Sequence, residues 1–66
     1  MNLNSARIRS AEYNESTEVL ILDFFKGGKY KYYSVPEEIY KGLIKSTSVG
    51  NYFDKIIKPN FKFKKV

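Results

Sequence analysis

Val19-Leu20-Ile21-Leu22-Asp23-Phe24-Phe25-Lys26-Gly27-Gly28-Lys29-Tyr30-Lys31-Tyr32-Tyr33 reads as two β-prone runs folded back on each other at paired glycines. The first run is rich in aliphatic and aromatic residues of the kind that fit a pleated, half-buried surface. With a period of two, Leu20, Leu22 and Phe24 share one face, and Val19, Ile21, Asp23 and Phe25 share the other; Asp23 marks the second face as the wetter one. Glycine reaches φ > 0 without steric cost, as tight primed turns demand, so the hairpin is expected to turn at Gly27-Gly28. On the return strand Tyr30 and Tyr32 point to the core side, while Lys29, Lys31 and Tyr33 share the opposite face.

Outward from the hairpin, Ile8 to Tyr13 reads as a weaker strand. It is separated from the hairpin by Asn14-Glu15-Ser16-Thr17, whose short polar side chains compete for local backbone groups. Downstream, Ser34-Val35-Pro36-Glu37 has the form of a capping box with Pro in the first turn. The helix it predicts presents Ile39, Tyr40, Leu43 and Ile44 and ends near Lys45. Gly42 inside it costs about 1 kcal/mol relative to Ala. Ser46-Thr47-Ser48 offers a second N-cap. Val49, Tyr52, Phe53, Ile56 and Ile57 then fall on one face of a second helix that Pro59 stops. The tail, Asn60 to Val66, alternates apolar and basic residues and reads as an edge strand docked through Phe61 and Phe63. The fold class is α+β: a three-stranded antiparallel meander, with room for a fourth C-terminal edge strand, packed with two short helices.

The chain has 66 residues, enough for one domain, and buries only about 60% of its unfolded surface. It has no Cys and no His, which excludes disulfides and Cys- or His-based zinc, haem and iron–sulfur centres. Eleven aromatics, six Tyr and five Phe, supply much of the cohesion instead. No stretch approaches the roughly 20 apolar residues of a membrane span, and Met1 to Ser5 lacks the pattern of a signal peptide. A cytoplasmic protein without membrane contact is expected. The wealth of Lys and Asn suggests an AT-rich source, a low-GC bacterium or its phage.

The net charge of +5 is uneven. Residues 1–38 carry five basic and six acidic groups, whereas residues 39–66 carry seven basic groups against Asp54 alone. Such a basic half concentrates anions around it. Catalysis finds no support: the usual base and thiol nucleophile are missing, Glu37 and Glu38 suit a helix start, and Asp23 and Asp54 stand isolated. No catalytic, metal or cofactor-binding residue is assigned.

Tyr13, Leu20-x-Leu22-x-Phe24, Gly27, Tyr30-x-Tyr32, Val35-Pro36, Tyr40, Leu43, Ser48-x-Gly50-x-Tyr52-Phe53 and Ile56 together resemble the KTSC domain family in order and spacing. The resemblance runs from about Ser5 to Val66. This family occurs alone and fused behind lysyl-tRNA synthetases, which implies RNA as a partner. The chain departs from the family near its start, where Ser5-Ala6 and Ser10-Ala11-Glu12 stand before the first Tyr in place of paired Ser and an apolar residue.

Two groups of residues carry the binding expectation. Lys29-Tyr30-Lys31-Tyr32-Tyr33 alternates cations with aromatics, as single-stranded nucleic acid requires, and Tyr33 is the stacking candidate once Tyr30 and Tyr32 turn inward. Lys26 and Lys29 flank the glycine turn, whose N–H groups suit an anion as well as a hairpin. Lys58, Lys62, Lys64 and Lys65 form the densest basic patch, suited to phosphates or to guarding an edge strand against aggregation. Ser48 to Gly50 either receives an anion or admits a close neighbour. The leading expectation is a non-catalytic module for RNA or a phosphate-bearing nucleotide. Its rival is a protein-interaction module of the kind phages use against host proteins, and self-association through Phe and Tyr is a third.

Overall fold

The glycine hairpin forms, but its connection is one residue longer than a primed two-residue turn. In a computed structural model that describes residues 2–3 and 5–66, Phe24 pairs with Gly28, leaving Phe25-Lys26-Gly27 as the loop. Gly27 and Gly28 stand at φ +109° and +84°, and consecutive left-handed residues close a three-residue connection as readily as a two-residue one. The strands are β1 (Ile8–Asn14), β2 (Val19–Phe24), β3 (Gly28–Tyr32) and β4 (Phe63–Lys65), and the helices are α1 (Glu37–Lys45) and α2 (Val49–Tyr52). Met1 and Asn4, and with them part of the expectation about the amino-terminal stretch, lie outside the described residues.

The four strands form one antiparallel sheet in the order β1-β2-β3-β4. The register sets Leu20 opposite Tyr32 and Leu22 opposite Tyr30, so the expected inward face is the observed one. β1 joins it through a bulge between Ile8 and Ser10. Ile8 and Tyr13 have opposite parity, and the extra residue Arg9 lets both reach the side of the sheet where Ala11 lies. The Asn14 side chain accepts from the backbone N–H of Ser16 (3.0 Å) and Thr17 (3.3 Å), which closes the β1–β2 turn as its composition requires.

Both helices cover this inward face. The core comprises Ile8, Ala11, Leu20, Leu22, Tyr32, Val35, Leu43, Val49, Phe53 and Ile57. Ser10, Glu12, Val19, Ile21, Asp23, Lys29 and Lys31 share the opposite face, over which no described element is laid. Gly42 has a packing reason: a Cβ there would run into the Tyr52 ring, whose hydroxyl donates to the Ile39 carbonyl at 3.1 Å.

Three expectations are corrected. Ser34 does not cap α1; Pro36 occupies the N-cap, no side chain caps it, and Ser34 sits at φ +57°. The residue that decides the entry is Val35, fully buried, with its N–H donating to the Glu18 carbonyl at 2.9 Å. Pinning Val35 this way turns Ser34 out of capping geometry. Second, the second helix is α-helical only as far as Tyr52 and continues as a π turn from Phe53 to Ile57, shown by the Lys58 N–H donating to the Phe53 carbonyl at 2.8 Å. The widened turn keeps Val49, Phe53 and Ile57 buried in one line and leaves Ile56 exposed. Third, β4 forms, and Phe61 packs on the core, but Phe63 remains 57% exposed because the helical layer does not reach over this edge strand.

Candidate functional site

The sequence-predicted binding residues divide between the two faces of the β3–β4 half of the sheet. On the open face Lys31 stands directly opposite Lys64, and Ile21 on β2 flanks Lys31 on its other side. Lys29 is one pleat away, opposite Asp23. The Tyr33 N–H donates to the Lys62 carbonyl at 2.9 Å, which extends the ladder by one residue and brings Lys62 to the side of Lys64. Tyr33 is 37% exposed, and it lines a shallow pocket of about 230 Å³ with Lys31, Lys64, Lys65 and Val66.

Like charges directly opposite each other destabilise an antiparallel pair by a few tenths to about 1 kcal/mol. The described ion pairs are Arg7–Asp54 and Lys41–Glu37, so none of Lys26, Lys29, Lys31, Lys58, Lys62, Lys64 and Lys65 is neutralised by a carboxylate in direct contact. The open face is polarised as a result. Towards β1 lies a trough of about 700 Å³ lined by Glu12, Glu15, Thr17, Val19, Ile21 and Lys31, among others, where two carboxylates stand against one lysine and oppose an anion. At its β4 end the lysines favour one.

Lys26 and Lys58 are on the other side, beside a groove formed by Phe24, Tyr30, Tyr32, Phe53 and Phe63. Sequence reasoning assigns those aromatics to the core and so misses the groove; the signal was the tail alternation, which fixes Phe63 on an edge strand with no layer beyond it. Lys65 pairs with Tyr30 at this edge, and its side chain passes close to Gly28.

A second feature unseen in the sequence is a clip between the segment before β1 and the π turn. Arg7 donates two hydrogen bonds to Asp54, Nη1 to Oδ2 at 2.7 Å and Nη2 to Oδ1 at 3.1 Å. These bonds hold the Asp54 carboxyl below the usual carboxylate range, with the charges of Arg7 and Lys58 adding to the effect, and raise the Arg7 guanidinium in turn. The Arg7 side chain lies against Gly50, at 3.3 Å from where a Cβ would stand. The absence of a Cβ at Gly50 thus makes room for a neighbouring side chain.

The tyrosines nearest α1 are structural. Tyr13 donates to the Val35 carbonyl at 2.5 Å and stacks on Tyr40 with ring centroids 4.9 Å apart. Burial, and then Glu18, Glu37 and Glu15 nearby, push its hydroxyl above the usual tyrosine range.

The family model for the KTSC domain matches residues 4–61. A solved structure described as the KTSC domain protein YPO2434 from Yersinia pestis superposes with a TM-score of 0.97 at 32% identity, covering 100% of this chain and 93% of that one. A protein of Tsukamurella paurometabola, named only as a protein, is 35% identical over 60 residues, 91% of this chain and 90% of its own length. A lysine–tRNA ligase of Nostoc punctiforme is 34% identical over 59 residues, which span 89% of this chain but 10% of the ligase.

Proposed function

The chain belongs to the KTSC domain family, and we propose that it is a non-catalytic module that binds single-stranded RNA along the lysine stripe of β3 and β4. The observation that carries this reading is the cross-strand pair Lys31–Lys64. Two lysines stand opposite each other in the register of the open face, with Lys29 and Lys62 extending the line and Tyr33 beside it. Phosphates relieve the mutual repulsion, and an exposed tyrosine ring offers a platform for a base. A segment similar to this chain lies within proteins named for a tRNA, which supports RNA over other polyanions.

Fluorescence anisotropy with a labelled single-stranded RNA of about 12 nucleotides tests the reading. Affinity is expected to fall steeply between about 50 mM and 200 mM salt, since each phosphate contact releases counterions. Replacing Lys31 and Lys64 together by Ala is expected to flatten the log–log salt slope by about 1.4, two single-strand contacts' worth. Absence of binding at the lower salt overturns the RNA reading. Recovery of one stoichiometric acidic protein on immobilised domain, unaffected by nuclease, would then favour the protein-interaction alternative.

A further inference from the structure

Under the edge formed by β4, on the helical side of the sheet, the aromatic groove has a volume of about 300 Å³. Four of its rings are engaged with one another in edge-to-face contacts. Phe24 meets Tyr30 at 5.6 Å and 88° and Phe53 at 5.3 Å and 70°, and Tyr32 meets Phe53 at 5.6 Å and 83°. Phe63 differs. It leans on Tyr30 at 56° and on Tyr32 at 33°, and more than half of its surface stays in water. An exposed phenyl ring on an edge strand invites aggregation, so its half-covered position is a liability.

The lining has no carboxylate; its charged members are Lys26 and Lys58, both exposed at the rim. A π face bordered by two cations suits a flat heterocycle that carries phosphate. The volume lies at the bottom of the range for ligand pockets, which fits one nucleotide and nothing much larger. The lysine stripe lies on the opposite face of the same edge, and among the described elements no strand stands beyond β4 to bar the way around it.

We propose that this groove receives one unpaired nucleotide of the RNA held on the open face. The strand turns over β4, lays a base against Phe63 and Tyr30, and sets the adjoining phosphate by Lys26 and Lys58. This assignment rests on the RNA reading, because the base arrives on a strand that Lys31 and Lys64 already hold.

The test compares a single-stranded oligoadenylate with a strand of equal length made wholly of abasic ribose-phosphate. Phe63→Ala is expected to weaken binding of the oligoadenylate by about 5-fold or more, the value of one lost stacking contact, and to leave the abasic strand and the salt slope unchanged. Equal weakening of both strands, or no weakening of either, overturns the groove. A second measurement does not depend on how well Phe63→Ala folds. With 2-aminopurine in place of adenine, emission is expected to be quenched on binding to a Tyr33→Ala protein, where the groove offers the remaining platform; unquenched emission overturns the groove as well. These failures leave salt-sensitive RNA binding in place. Absence of binding to both strands at low salt removes the open-face reading, and the groove assignment falls with it.

Discussion

Ser34 and Asp54 show how a residue's role follows from its neighbours rather than its type. A non-glycine residue in the left-handed region is held there at a cost of roughly 1–2 kcal/mol, and Ser34 at φ +57° makes no capping bond in return. Ser34→Gly is therefore expected to raise stability by up to about 1 kcal/mol, with Ser34→Ala within about 0.5 kcal/mol of the parent. A capping serine would instead lose about 1 kcal/mol on change to Ala and a few tenths on change to Gly. Urea unfolding decides it by the sign of the Gly effect. For Asp54, the bonds from Arg7 lower its folded pKa, so its contribution is present above the unfolded value of about 3.9 and is lost as pH falls through the folded one. The melting temperatures of the parent and of Asp54→Asn are expected to differ by a constant amount from about pH 5 to 7 and to converge below about pH 4. Both side chains are exposed, so the difference is small and shrinks in salt.

Among the elements, the junction of α2 and the π turn separates two adjacent isoleucines. Ile57 is fully buried and Ile56 is exposed, although a regular helix would place both on the apolar stripe. Ile57→Ala is expected to cost about 2–5 kcal/mol, and Ile56→Glu about 0.5 kcal/mol or less, measured by denaturant unfolding. Comparable losses at both sites would mean that the α-helical register persists. The hairpin alternation, the inward Tyr30 and Tyr32 and the stripe of α1 are legible in the sequence because each depends on a local period. The π turn is not, since Val49, Phe53 and Ile57 satisfy a helical spacing whichever turn follows Tyr52. The bulge at Arg9 is half legible, through the mismatched parity of Ile8 and Tyr13. The lysines of the proposed surface are legible as residues, but their division between two faces depends on the register of β4 against β3, which the tail composition leaves open.

At the scale of the whole molecule, charge grades across the open face, from Glu12 and Glu15 on the β1 side, through Lys31, which lines the same trough, to Lys64 on β4. Such a field orients an approaching polyanion before any contact is made. The Arg7–Asp54 clip joins parts of the chain 47 positions apart, and it ties the segment before β1 to the turn after α2. Closing a contact of that separation costs loop entropy before it is repaid, so the pair is expected to form late in folding, and its loss to speed unfolding and leave refolding unchanged. In stopped-flow urea jumps, Asp54→Asn should raise the unfolding limb alone; a refolding limb slowed in proportion would place the pair within the folding nucleus. The little stability that two exposed charges add is thus expected to lengthen, slightly, the time each native molecule lasts between openings rather than to hasten its formation.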